Sequence, residues 1–421
     1  AGELLARASL ARSGQAVGPG GADPEIVGHL EECLRLLPSD AHATRALVGA
    51  RLAVALNTPS AAARRALVCR GALDDARRSG RDDVLAQALA ARHRALWDHS
   101  DLVGQVETAA LMTAAARDCG NRELELQSLQ LRLVDALEQS DIGAAESSIE
   151  EYARLASEFR QAPYELRLRL FRATCALVDG DLAGAEGLVE EAHQVGSSAV
   201  PVAAHSLAIA RLRGPHEAVR SRLHDFVGAY PAATLPRIGL AALHAADDRR
   251  DAAAPAFERI AARDFVDVPR DDEWLVSMSL AGDVCAYLGD RRRAERLVEL
   301  LRPFAGRVAV SHANASCHGS VSRPLGSLMA LLGRWEEERG CLGGAIEVDA
   351  RLRAPIFVAR DQLGLANVIA CSGVEPGAVD RAVKLAREAE LAATRLGAAG
   401  VVAAATRLAV ALEAGALLRK G

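Results

Sequence analysis

The stretch from Tyr164 to Glu186, YELRLRLFRATCALVDGDLAGAE, holds one complete structural unit of this chain. Tyr164, Leu168, Phe171, Cys175 and Val178 fall at i, i+4, i+7, i+11 and i+14, which places them on one face of an α-helix. Asp179-Gly180-Asp181 then stops that helix and starts another. Glycine takes the left-handed conformation that ends a helix, and aspartate at an N-terminus accepts free backbone N–H groups and complements the macrodipole. The predicted unit is a helix–turn–helix hairpin.

The same unit recurs in both directions. Ser100-Asp101-Leu102, Ser140-Asp141-Ile142 and Gly180-Asp181-Leu182 are spaced by steps of 40 residues. Ala145-Glu146 with Glu150-Glu151 returns as Ala185-Glu186 with Glu190-Glu191, and Gly80-Arg81 aligns with Gly120-Asn121. Looser copies follow at Tyr287-Leu288-Gly289-Asp290, at Leu332-Gly333-Arg334-Trp335 and at Ser372-Gly373. The expected fold is all-α, a tetratricopeptide-like right-handed superhelix of stacked antiparallel helix hairpins, roughly ten in number. Residues 1–22 form an N-terminal helix and a flexible joint at Val17–Gly21, and residues 23–421 form the array, with the register clearest over 80–195. From 304 to 322 helical punctuation fails. That segment, with Gly306, Asn314, Cys317, His318 and Gly319, reads as an irregular, partly ordered loop or an irregular helix start.

Composition supports helices and narrows function. Half of the 421 residues are hydrophobic but only 3% are aromatic, so Ala, Leu and Val must fill the interior, which suits close helix packing and disfavours β-structure. The net charge of −5 is mixed along the chain, whereas nucleic-acid binding calls for a basic face, so no direct nucleic-acid contact is expected. Only Lys384 and Lys420 are lysines among 50 basic residues, a bias that with abundant Ala and Gly points to a GC-rich bacterial genome. The eight cysteines lie tens of residues apart with no C-x-x-C pair, which predicts free thiols, no metal site and a reducing cytoplasm. No secretory h-region and no uncharged run of membrane length occurs, and a soluble cytoplasmic protein is expected.

The motifs of common catalysts are missing. Neither lysine sits in a P-loop, and no nucleophile elbow, zinc-protease helix or EF-hand loop occurs, so no cofactor is expected. Cys317-His318-Gly319-Ser320 is the one cluster of nucleophile-type residues. It has two readings: a hydrolase using Cys317 or Ser320 with His318 as base, or a loop-to-helix junction capped by Ser320. Trp97, Trp274 and Trp335 read as anchors of helix packing or as ligand-stacking residues. Arg92, Arg132 and Arg172, each 40 residues apart, occupy one position on the first helices of three hairpins. Helices pack about 8–10 Å apart, so such a ladder needs negative charge between its members. Either carboxylates such as Asp98, Asp135 or Glu138 supply it, or an anionic ligand or acidic partner segment does, which makes the three arginines the candidate binding residues.

Several segments carry a family resemblance. Leu332-Gly333-Arg334-Trp335-Glu336-Glu337, Arg351-Leu352-Arg353-Ala354-Pro355 and Ala359-Arg360-Asp361, with Pro269–Trp274, Pro303–Arg307 and Gly319-Ser320-Val321, resemble the C-terminal helical-repeat region of large bacterial signal-transduction ATPases. Those regulators join an AAA or nucleotide-binding ATPase to a LuxR-type DNA-binding or adenylate-cyclase domain. Glu338 and Ile356 depart from the family's usual Ala and Trp. The resemblance implies a non-catalytic sensor or docking arm, whose partners are an ATPase domain of the same or another protein and a small-molecule or peptide effector. A purely structural spacer is the remaining reading.

Overall fold

A computed structural model describes residues 2–15, 24–96, 102–195, 199–214, 217–230, 233–271, 273–312, 315–372 and 377–414. The expected joint at Val17–Gly21, together with Trp97, Asp98, Ser100, Asp101, Asn314 and Gly373, lies outside them. Among the described residues 21 α-helices follow one another. They are α1 (Gly2–Gln15), α2 (Pro24–Leu36), α3 (His42–Ala55), α4 (Ala62–Ser79), α5 (Asp82–Ala95), α6 (Leu102–Asp118) and α7 (Arg122–Glu138). Then come α8 (Ile142–Phe159), α9 (Ala162–Asp179), α10 (Leu182–Val195), α11 (Ala199–Arg213), α12 (Glu217–Ala229), α13 (Thr234–Ala246) and α14 (Arg250–Ala261). The last are α15 (Trp274–Leu288), α16 (Arg291–Leu301), α17 (Ser322–Leu332), α18 (Trp335–Arg351), α19 (Pro355–Ser372), α20 (Ala378–Arg395) and α21 (Ala399–Glu413).

The helices pack as sequential pairs, consistent with a helical-repeat fold. The 40-residue register is literal in the middle of the chain: α5, α7 and α9 begin at 82, 122 and 162, and α6, α8 and α10 at 102, 142 and 182. Local chemistry sets these boundaries. Asn121, Asp141 and Asp181 each accept the amide three residues on, at 3.1, 3.0 and 2.9 Å, which satisfies a free N–H of the helix each begins. The preceding helices end in Schellman turns, in which the amides of Asn121, Asp141 and Asp181 reach the carbonyls of Ala116, Ala136 and Ala176 at 2.8–2.9 Å.

The chain also departs from an all-helical array. Residues 308–320, within the segment expected to be an irregular loop or helix start, contain β1 (Val308–Val310) and β2 (Cys317–Ser320), paired antiparallel. Val308 faces Ser320 and Val310 faces Cys317, so β2 carries one extra residue opposite Ala309, and Gly319 in that bulge has φ +87°. Every residue of both strands is buried. β1 packs on α7 and α15, and β2 on α9, α11 and α18. Hydrophobic periodicity missed this hairpin because its strands are buried on both faces and alternate nothing.

Two core clusters meet at the hairpin. Val308, Val310 and Cys317 join the cluster built by α7–α11 and by residues of α18, α19 and α21, while Ala309 joins the one built by α11–α17. Helices far apart in sequence are thereby brought together, with α9 touching α19 and α11 touching α21. Near the other end of the chain, the Arg270 amide donates to the Asn57 carbonyl at 3.0 Å. No described helix is long and apolar enough to cross a membrane.

Candidate functional site

The three arginines of the ladder have different surroundings. Arg92 donates to the Gly104 carbonyl at 3.4 Å and to the Thr108 hydroxyl, both on α6. Arg132 pairs with Glu151 on α8 at 3.5 Å, and Arg117 also reaches Glu151, at 3.0 Å. Arg172 is exposed. Asp135 and Glu138, two of the carboxylates expected to separate the arginines, bind elsewhere. Asp135 accepts from His93 Nε2 at 2.9 Å, and Glu138 holds His312 Nε2 at 2.8 Å and the Arg307 guanidinium at 3.5 Å. The sequence placed these acids at the end of α7, but only the fold shows that this end meets the hairpin.

Polar side chains gather around the hairpin in two groups. The first consists of His93, Asp135, Glu138, Arg307 and His312, all buried, with the His93 and His312 rings 6.0 Å apart. Ser311 donates to Glu273 at 2.6 Å and Gln130 to the His312 carbonyl at 3.2 Å, so α7 and the start of α15 hold β1 from two sides.

The second group surrounds β2. Arg211 of α11 and Arg323 of α17 both bond the Oδ2 atom of Asp283 on α15. Asp283 is the single charged residue of its helix. Burial would raise its carboxyl, but Arg323, Arg211 and Arg360 hold it below the ordinary value. Arg360 of α19 donates to the His318 carbonyl at 3.1 Å and lies 5.1 Å over the Phe357 ring. A Cβ at position 319 would stand 2.6 Å from Arg360 Nη2, so this approach requires glycine in the bulge. Asp349 of α18 accepts from the Ser320 amide at 3.3 Å, and both carboxylate oxygens of Asp361 on α19 are buried without a hydrogen-bond partner. Burial and the Asp349 charge push Asp361 well above the usual carboxylate range.

Burial also decides what Cys317-His318-Gly319-Ser320 can do. It pushes the Cys317 thiol up to about 12, far from the thiolate a nucleophile needs. Burial and the Arg211 charge hold His318 well below its ordinary value, leaving a neutral ring whose Nε2 is 3.4 Å from the Ser316 hydroxyl. Ser320 Oγ accepts from the amide of Ser322, the first residue of α17, at 3.1 Å. Trp274 is buried against Phe304 at 5.2 Å with Arg270 over its ring at 3.7 Å, and Trp335 is partly exposed.

The arginines and aspartates of the second group escaped periodicity because their partners lie up to 72 residues away. One signal was present, since an aspartate alone in an apolar helix, as Asp283 is, has to find a buried partner. A separate cavity of about 500 Å³ lies between α17 and α18 beside the turn at 302–306, lined by Leu325, Met329 and Val348 together with Arg302 and Arg351. Among the described residues no group of His, Cys, Asp and Glu is arranged to hold a metal ion, and the cysteines carry free thiols. No known family model matches this sequence, and no curated protein matches it significantly; what stands is a mostly α-helical chain of sequentially paired helices, consistent with a helical-repeat protein.

Proposed function

We propose that this chain is a non-catalytic binding and regulatory module, a sensor or docking arm that controls a bacterial signalling ATPase. The observation that carries the reading is the largely buried charged group around β2, assembled from α11, α15, α17, α18 and α19. Charged side chains are costly in an interior, and clusters of them are enriched where proteins bind or switch. A spacer needs no such group. A hydrolase would need a thiolate or an activated hydroxyl, and the reading is favoured by a Cys317 thiol pushed up to about 12 and a Ser320 hydroxyl occupied at a helix start. The resemblance of residues 332–361 to the repeat regions of signal-transduction ATPases supplies the partner class.

The test is a pull-down with the purified chain from a bacterial extract, combined with metabolite mass spectrometry of the native protein. Recovery of an ATPase domain supports the docking arm, and a co-purifying metabolite supports the sensor. Recovery of neither, or hydrolytic turnover lost in Cys317→Ala or Ser320→Ala, defeats the proposal.

A further inference from the structure

The cavity between α17 and α18 has an apolar floor and two differently equipped ends. Leu325, Met329 and Val348, each at most 2% exposed, form the floor. Its volume of about 500 Å³ falls inside the roughly 300–1,000 Å³ of small-molecule sites, which join an apolar lining to a few polar groups. The two helices run antiparallel along it. A Cβ on Gly344 would lie 4.0 Å from Ser322 Oγ, and one on Gly326 would lie 3.7 Å from Cys341 Cβ. One end therefore holds Ser322, Glu347 and Arg351, and the other holds Met329, Arg302 and Glu337.

These ends differ in what they already bind. Arg302 and Glu337 neutralise each other at 2.7 Å. Glu347 and Arg351, one turn apart on α18 and both exposed, form no ion pair with each other or with any described residue. Ser322 lies deeper, at 3% exposure; its Oγ accepts from the Gly306 amide at 3.2 Å, and its own proton has no acceptor among the described residues. Side chains at i and i+4 of a helix stand about 5–6 Å apart at Cβ, so one small molecule can meet the carboxylate and the guanidinium together. The α18 wall is also low here. Gly340 and Gly344 line the cavity, and a Cβ on Gly340 would meet nothing within 4 Å, on Gly344 only Ser322 Oγ. Close packing does not require these two glycines, although each costs a helix interior about 1 kcal/mol relative to alanine. Larger side chains there would fill the trough.

We propose that this cavity binds a free α-amino acid with an apolar side chain. Arg351 takes the carboxylate, Glu347 the ammonium group, and the side chain lies past Gly344 over Leu325 and Met329, with the Ser322 hydroxyl as a further donor at the charged end. Opposite charges presented together match a zwitterion, whereas a fatty acid or an amine engages only one of them. This rests on the binding-module reading and gives that module a ligand class.

The test is calorimetric titration of the full chain with leucine and with methionine, beside glycine, 4-methylpentanoate and 3-methylbutylamine, which lack in turn the side chain, the ammonium group and the carboxylate of leucine. Saturable one-to-one binding of leucine or methionine is expected, with the three analogues at least roughly tenfold weaker than the better of the two. Glu347→Gln and Arg351→Gln alter exposed residues, so the fold should hold, and each should weaken binding by a similar factor. Gly344→Leu should abolish binding while circular dichroism and the urea midpoint stay at or above wild type, because the new side chain occupies the cavity and favours the helix. No saturable heat from either amino acid at ~20 mM, where even a millimolar site would fill, overturns the proposal. So does an analogue that binds as tightly as the amino acid. Undiminished binding in folded Glu347→Gln and Arg351→Gln, or in folded Gly344→Leu, overturns it by placing the amino acid elsewhere; should Gly344→Leu not fold, the two exposed variants decide. Any of these failures leaves the binding-module reading standing if the native protein carries another metabolite or an ATPase partner.

Discussion

Ser140 ends α7 at φ +63°, in the place where Gly180 ends α9 at φ +86° one repeat later. A serine in the left-handed region costs about 1 kcal/mol relative to glycine, and the buried Ser140 hydroxyl lacks a hydrogen-bond partner as well. Ser140→Gly should therefore stabilise the chain by ~0.5–1 kcal/mol, read as a higher urea midpoint at unchanged slope. Glu338 of α18 is a second residue under strain. It is buried, its Oε2 lacks a partner, and burial pushes its carboxyl up to about 8 from an ordinary 4.5. Between those values the folded chain keeps a proton that the unfolded chain has released, so stability falls as pH rises through that window and the penalty is constant above it. Glu338→Gln should match wild type near pH 4 and exceed it by ~1–3 kcal/mol at pH 9, measured by denaturant titration across pH. Capping residues such as Asp141 and Asp181 were legible in the sequence because cap and helix are neighbours. Asp349 and Asp361 were not, since the distant segments that bury them are visible only in the folded chain.

Among the elements, the hairpin departs most from the repeat grammar, and it is held by side chains from helices distant in sequence. Thr174 of α9 donates to the Ala315 carbonyl at 2.9 Å, Arg360 reaches the His318 carbonyl, and Glu138 of α7 grips both His312 and Arg307. An isolated two-stranded hairpin is marginal at best in water, so burial and these bonds sustain it. The helix pairs could be read from local pattern and turn chemistry, whereas this hairpin is specified by tertiary context that no window of sequence contains. Glu138→Ala leaves Arg307 buried without its carboxylate, and loss of one partner of a buried pair costs about 3–5 kcal/mol. Hydrogen exchange should then show the amides of Val308–Val310 losing protection before those of α8 and α10. Equal loss across all of these elements would mean that the hairpin opens only with the whole protein.

At the scale of the molecule, an open array contacts only its neighbours, and its stability is then a sum of local terms that can be lost piecemeal. Here the C-terminal helices return to the middle of the chain. Leu396 packs on Gly180, where a Cβ would stand 2.8 Å from its Cδ2, and Arg353 pairs with Glu146 at 3.1 Å. At the junction of α11 and α21 the backbones meet directly. A Cβ on Gly400 would lie 2.9 Å from both the Gly214 nitrogen and the Leu212 carbonyl oxygen. Backbone atoms packed in this way cannot yield as a flexible side chain does, so any larger residue at 400 has to push α21 away from α11. Gly214 and Gly400 let the two helices approach where larger residues would hold them apart. Gly400→Leu should therefore separate α19–α21 from the middle repeats without unfolding the helices. Circular dichroism should change little, the radius of gyration from small-angle scattering should rise, and thermal unfolding should split from one transition into two. An unchanged radius of gyration with a single transition would show instead that the hairpin and the shared core hold the two parts together without the α11–α21 contact.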